Sequence, residues 1–217
     1  MTGIKLCGLS RLQDIAAINA LAADWAGFVL APGSRRTVTA ARLGQLRGQL
    51  RPDIKAVGVF QNQPLSLVTP LLRDGLLDIA QLHGQEDFTY VRRLRQQSGK
   101  PVIQAFNIRT AADLQQAAKS PADWVLLDAV RPGSGQRFDW SWLQSFTRPY
   151  FLAGGLTPAN VAQAVRELEP FAVDVSSGIE SRGQKDPQKM EQFVRAVRLA
   201  QQARTSGDEL ASANRKI

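Results

Sequence analysis

The sequence predicts an α/β protein with a closed (β/α)8 barrel, a TIM barrel, as a single domain. Three observations predict it. Eight short apolar runs, nearly unbroken by polar residues, punctuate the chain. Amphipathic helical stretches alternate with them, and polar and glycine residues collect directly after the runs. Runs without polar alternation mark parallel strands covered on both faces. Eight strand–helix units in 217 residues favour a closed barrel over an open doubly wound sheet. The first run also lacks the G-x-G-x-x-G turn expected of that alternative, and the units show no solenoid-like sequence repeat.

The runs are Ile4–Cys7, Trp25–Leu30, Ile54–Phe60, Leu77–Leu82, Val102–Phe106, Trp124–Asp128, Tyr150–Ala153 and Phe171–Val175. Between the first two, Leu12, Ile15, Ala16, Ile18 and Ala22 keep a helical period. Leu43, Leu46 and Leu50 do so within 41–50, and Leu65, Leu67, Val68, Leu71 and Leu72 follow Pro64, a residue suited to a first turn. Phe88, Val91 and Leu94 form the next helix, closed by Gly99. Thr110 caps 111–118, and Thr157-Pro158 cap and start 159–168. A short sixth helix is expected over 140–146. Asp186-Pro187 start the last helix, which runs to about residue 203. The barrel is therefore expected over 1–204, with a polar, disordered tail over 205–217.

The totals narrow the function classes. A hydrophobic fraction of 44% suits a packed globular core. One cysteine forbids an internal disulfide. Met1-Thr2-Gly3 lead straight into a strand, with no signal-peptide core and no membrane-spanning stretch, so a cytoplasmic location is expected. The net charge is +8. Its arginines, among them Arg11, Arg47, Arg73, Arg109, Arg166 and Arg198, are scattered rather than patched. That reads as a solvated surface, not a nucleic-acid face, and it favours capture of a small polyanionic substrate.

Barrels of this kind place their active site at the C-terminal ends of the strands. Cys7-Gly8 end the first run, and the second leads into Pro32-Gly33-Ser34-Arg35-Arg36. Gln81-Leu82-His83-Gly84 end the fourth and Asp128 the sixth. Gly154-Gly155 end the seventh, and Asp174-Val175-Ser176-Ser177-Gly178 the eighth. The last two loops offer backbone N–H groups and hydroxyls at the usual phosphate site of the fold. Cys7 alone reads as a small buried hydrophobe or as a reactive thiol. His83 reads as a wall residue or a base, and Arg36 competes with Arg35 for a carboxylate. Asp128 follows four apolar residues, where packing gives no reason for a carboxylate. Asp174 is similar, or braces the Ser-Ser-Gly turn.

Taken together, Lys5-Leu6-Cys7-Gly8-Leu9-Ser10, Gly27 through Arg36, Gln81-Leu82-His83-Gly84, Leu127-Asp128, Phe138-Asp139-Trp140, Leu152 through Leu156, and Asp174 through Glu180 with Gly183 and Lys185-Asp186 resemble the phosphoribosylanthranilate isomerase family of tryptophan biosynthesis. The resemblance spans about residues 4–200. It implies an Amadori rearrangement of N-(5-phosphoribosyl)anthranilate. It puts the general base on Cys7, the general acid on Asp128 and the carboxylate-binding arginine on Arg36. It puts phosphate binding on Gly154, Gly155, Ser176, Ser177 and Gly178, and adds Gln81, His83 and Asp174 to the substrate wall. It implies no cofactor and no metal, a small phosphosugar as the partner, no nucleic acid or membrane, and a monomer or homodimer. Lys5 alternates to the side of Cys7. Two departures stand out: Arg35 replaces a proline, and Pro132-Gly133-Ser134-Gly135 replace a Gly-Gly-Thr-Gly loop. Indole-glycerol-phosphate synthase shares the phosphate loops but works with lysines and glutamates at strand ends. A histidine-pathway aldosylamine would need a second phosphate grip, which the sequence does not clearly show. A binding module that had lost catalysis would be expected to lose its acid or base first.

Overall fold

The computed structural model describes residues 1–128, 143 and 145–214, with side chains to residue 202. Eight parallel strands close into a barrel in chain order: β1 Gly3–Cys7, β2 Trp25–Val29, β3 Lys55–Phe60, β4 Ile79–Leu82, β5 Val102–Asn107, β6 Trp124–Asp128, β7 Tyr150–Ala153 and β8 Ala172–Val175. β8 pairs back onto β1, so the sheet has no open edge. Each strand lies within a residue or two of its expected run.

The helices are α1 Leu12–Asn19, α2 Ala40–Arg47, α3 Leu65–Arg73, α4 Phe88–Ser98, α5 Ala111–Ala118, α6 Val161–Leu168 and α7 Pro187–Asn214. Thr110 caps α5 through a reciprocal bond with Asp113, and Gly99 ends α4 in a left-handed conformation at φ 64°. Three expected boundaries move. Pro64 is the N-cap of α3, not part of its first turn. α6 starts at Val161 because the Asn160 side chain accepts from the Thr157 N–H and donates to the Gly155 carbonyl, closing a turn over 157–160. α7 continues past residue 203 to Asn214, correcting the expected tail over 205–214. That stretch carries the helix formers Glu209, Leu210, Ala211 and Ala213 and no proline. The helix expected over 140–146 lies largely outside the described residues. Pro132-Gly133-Ser134-Gly135 and Phe138-Asp139-Trp140 lie wholly outside them.

Strand alternation divides the core in two. Ile4 and Leu6 on β1 pack outward with Phe28, Val125, Leu152 and the helices. Val57, Ile79, Ile103, Leu126, Phe151 and Ala172 fill the barrel interior. At the N-terminal ends of the strands, Trp25 meets Phe151 edge-on at 5.0 Å, and Trp124 stacks on Phe171 at 5.9 Å. This aromatic plug shuts one end. Polar groups collect at the other. No helix among the described residues is long and apolar enough to cross a membrane.

Candidate active site

The C-terminal ends of the strands surround a cavity of about 410 Å³, within the range typical of small-molecule sites. Cys7, Val29, Val59, Gln81, Asp128, Ala153, Asp174 and Val175 line it from seven strands. Arg36, His83, Gly154, Gly155, Ser176, Ser177 and Gly178 line it from the loops. Every site residue expected from the sequence is therefore in one cavity.

The loops that follow β7 and β8, the βα7 and βα8 loops, are built for close backbone approach. Gly154 and Gly155 have φ of 99° and 60°, a region that L side chains rarely adopt. Ser177–Ile179 forms one 3-10 turn directly after β8. The two loops touch at Gly178, where a Cβ would lie 1.9 Å from the Leu156 carbonyl oxygen. The Lys185 ammonium holds the turn from outside by donating to the Ser176 carbonyl at 2.9 Å.

Arg36 and Arg35 are separated by what they face. The Arg36 guanidinium lines the cavity and forks onto Glu180, with Nε to Oε1 at 2.6 Å and Nη2 to Oε2 at 3.0 Å. Arg35 reaches the same carboxylate from the rim, with its side chain 59% exposed. Glu180 comes from a small hairpin, β9 Glu180–Ser181 against β10 Gln184–Lys185, and it also accepts from Lys185 Nζ at 2.7 Å. Burial works to raise the Glu180 carboxyl, but the hydrogen bonds and charges of Arg36 and Lys185 overcome it and hold its pKa at about 2. Burial pushes the Lys185 ammonium down, with Glu180 opposing.

Cys7 is 6% exposed and sits at the end of β1. Burial pushes its thiol above the ordinary value. The Lys5 ammonium pulls it down, Asp174 raises it, and Lys185 pulls it down. Lys5 is fully buried, and its Nζ donates to Asp174 Oδ1 at 2.9 Å across the β1–β8 register. The Asp174 carboxylate thus holds Lys5 and does not brace the Ser-Ser-Gly turn. Burial works against the charge on Lys5, but Asp174 and then Cys7 outweigh it and raise its pKa.

Across the mouth, His83 Nε2 lies 3.8 Å from Asp128 Oδ2. Gln81 Nε2 and His83 Nδ1 are 3.0 Å apart. The amide nitrogen can only donate, so His83 Nδ1 accepts and its proton sits on Nε2, facing Asp128. Gln81 Oε1 is a buried oxygen with no hydrogen-bond partner among the described residues. An orphaned acceptor of this kind costs about 1–3 kcal/mol, and a sugar hydroxyl or an amine N–H in the cavity would satisfy it. No cluster of three metal-ligating side chains occurs among the described residues.

A family model described as "PRAI: N-(5'phosphoribosyl)anthranilate (PRA) isomerase" matches residues 4–196. The N-(5'-phosphoribosyl)anthranilate isomerase of Lacticaseibacillus paracasei is 43% identical over 198 residues, 91% of this chain and 96% of that protein. The chain belongs to the phosphoribosylanthranilate isomerase family. Solved structures of the family agree. The enzyme of Thermotoga maritima superposes with a TM-score of 0.84 at 33% identity, over 91% of this chain and 99% of that one. A phosphoribosyl anthranilate isomerase in complex with reduced 1-(o-carboxyphenylamino)-1-deoxyribulose 5-phosphate gives a TM-score of 0.82 at 31% identity, over 91% of this chain and 99% of that one. Members of the phosphoribosylanthranilate isomerase family are isomerases, and the enzyme class expected from the sequence stands.

Sequence reasoning missed the roles of Glu180 and Lys185 in the site, and the pairing of Lys5 with Asp174. Glu180 and Lys185 are carried by strands of two residues each, too short for a hydrophobic pattern to mark. The partner of Lys5 lies 169 positions away in sequence.

Proposed function

We propose that the chain catalyses the Amadori rearrangement of N-(5-phosphoribosyl)anthranilate to 1-(2-carboxyphenylamino)-1-deoxyribulose 5-phosphate, in tryptophan biosynthesis, with Asp128 as general acid and Cys7 as general base. One observation carries the reading. A strand-end thiol and a strand-end carboxyl share a single cavity with two glycine loops and an arginine fork. That set matches the substrate's parts. The loop N–H groups suit the 5-phosphate, and Arg36 suits the anthranilate carboxylate. Gln81, His83 and Asp174 complete the wall around the sugar.

The chemistry follows from these roles. Asp128 gives its proton to the ring oxygen as the C1–O bond breaks. The nitrogen lone pair moves in to form a C1=N iminium. That cation makes the C2 proton acidic. The Cys7 thiolate takes it, and the C–H electrons form the C1=C2 bond of a neutral enolamine. Loss of the enol proton and protonation at C1 give the ketone. No electron enters or leaves, so the sequence needs proton transfers only.

Glu180 gives Arg36 a resting partner. The substrate carboxylate meets a guanidinium already fixed in the mouth, which reduces the ordering cost of binding. Arg36→Ala is therefore expected to raise KM at least about tenfold, the loss of one charged hydrogen-bonded contact. Arg35→Ala changes KM by less than about twofold, as an exposed pair contributes little. A reversed pattern in steady-state kinetics assigns the carboxylate to Arg35.

The activity itself is tested by the fluorescence of phosphoribosylanthranilate. Purified protein is expected to abolish it at catalytic concentrations, with Cys7→Ala as the control. Fluorescence that persists over the full-length enzyme rules the reaction out.

A further inference from the structure

We propose that Lys5, clamped by Asp174, is a positioning residue that supplies the countercharge for the Cys7 thiolate. This rests on Cys7 being the base. A lysine with no solvent exposure on the inner face of a barrel strand is costly to keep charged, by several kcal/mol before compensation. Packing gives no reason for it, since methionine would fill the same volume. Its carboxylate partner among the described residues is Asp174 at 2.9 Å. Its other near neighbour is the thiol. A Cβ placed on Gly27 would lie 2.7 Å from Cys7 Sγ and 3.0 Å from Lys5 Nζ, so thiol and ammonium flank a single point beside β2. Gly27 is the register partner of Cys7, and only the absence of a side chain there lets both groups occupy that space.

The charges around Cys7 come from several elements. Lys5 on β1, Lys185 on β10 and Arg36 on the βα2 loop are cationic, and Asp174 on β8 is anionic. Glu180 is already shared between Lys185 and Arg36. The ammonium that bears most strongly on the thiol is Lys5. Asp174 fixes it in place and at the same time withdraws part of its charge from Cys7. The pair therefore works as a ratio: Lys5 favours the thiolate and Asp174 tempers it.

This makes opposite predictions for two neighbours, which a merely structural role would not. The Cys7 titration is followed by thiolate ultraviolet absorbance. The thiol is the chain's only one, and Cys7→Ala serves as the blank. The pH profile of kcat/KM is measured beside it. Lys5→Met is expected to move both to higher pH by about one unit, a tenfold loss of thiolate on the rising limb. Asp174→Asn is expected to move the titration to lower pH, because the thiolate becomes the main counterion of Lys5. The sign follows from the thiol: its charged form is the active one, so a raised pKa removes activity at a fixed pH below it.

Lys5→Met leaves Asp174 buried without its ammonium and is prone to unfold. The double variant Lys5→Met/Asp174→Asn removes both charges. In it Cys7 must titrate above its value in Asp174→Asn alone. If the titration moves in neither single variant, or the double variant matches Asp174→Asn, Lys5 is a packing residue only. If Cys7→Ala keeps turnover, the assignment of the base fails first, whatever the titration shows.

Discussion

Cys7→Ala and Asp128→Asn are each expected to lower turnover by a factor of about 10² to 10⁴ or more, the usual contribution of a positioned acid or base. Both variants are expected to stay folded. Alanine removes one sulfur atom from a side chain beside Gly27, where a Cβ built on the glycine would stand 2.7 Å from Cys7 Sγ and 2.9 Å from the Cys7 Cα. Asparagine keeps the size of Asp128 and a partner for the His83 Nε2–H, which faces it at 3.8 Å. Circular dichroism and the unfolding midpoint are therefore expected to stay close to the parent's, and binding of a product analogue to survive. On the proposed roles the two variants are expected to fail at different steps. Asp128→Asn would lack the proton that opens the ring and is expected to accumulate no open-chain species. Cys7→Ala is expected to open the ring and to stall at C2. Exchange of the C2 hydrogen with deuterated solvent, followed by mass, is expected in the parent and absent in Cys7→Ala. Turnover near the parent level in either variant removes that residue from its role.

The fold and the site differ in how far the sequence reveals them, and the difference has a physical cause. The eight strands are buried on both faces, so each leaves an apolar run that composition alone makes visible. Asp128 is visible for the inverse reason: a carboxylate after Trp124-Val125-Leu126-Leu127 has no packing role. The glycine loops are visible because positive φ demands glycine, as at Gly154 and Gly155. What the sequence hides is pairing at long range. Lys5 reads as a polar residue on a short strand until barrel closure sets β8 against β1 and puts Asp174 beside it. Arg35 and Arg36 are chemically alike and adjacent. They part only when the loop turns one into the cavity and leaves the other 59% exposed. Glu180, which holds both, belongs to a hairpin too small to announce itself. The start of α6 is hidden by Asn160, whose side chain bonds backward into the loop.

Gly178→Ala is expected to raise KM by a factor of about ten or more, with a smaller effect on kcat. The cause is steric and falls on backbone. A Cβ at 178 would stand 1.9 Å from the Leu156 carbonyl oxygen, 2.9 Å from its carbonyl carbon and 3.2 Å from the Thr157 Cα. No rotamer change relieves contacts with main-chain atoms, so the βα7 and βα8 loops must move apart. These are the loops that line the cavity, with Gly154-Gly155 in one and Ser176-Ser177-Gly178 in the other, and that the proposed function assigns to the phosphate. A phosphate held between two rigid sets of donors loses one set when they separate, and charged hydrogen bonds of this kind contribute about 1.5–3 kcal/mol each. Overpacking itself costs about 1–3 kcal/mol of stability, so the midpoint of unfolding falls as well. Inorganic phosphate as a competitive inhibitor separates the two effects, since it reports the grip without the rest of the substrate. Its inhibition constant is expected to rise with KM in Gly178→Ala. Gly44→Ala on α2, where the nearest atom to a new Cβ is 3.9 Å away, leaves both constants at the parent values. An unchanged inhibition constant in Gly178→Ala would remove phosphate from these loops. It would also leave the arginine fork as the remaining anion grip among the described residues of the cavity.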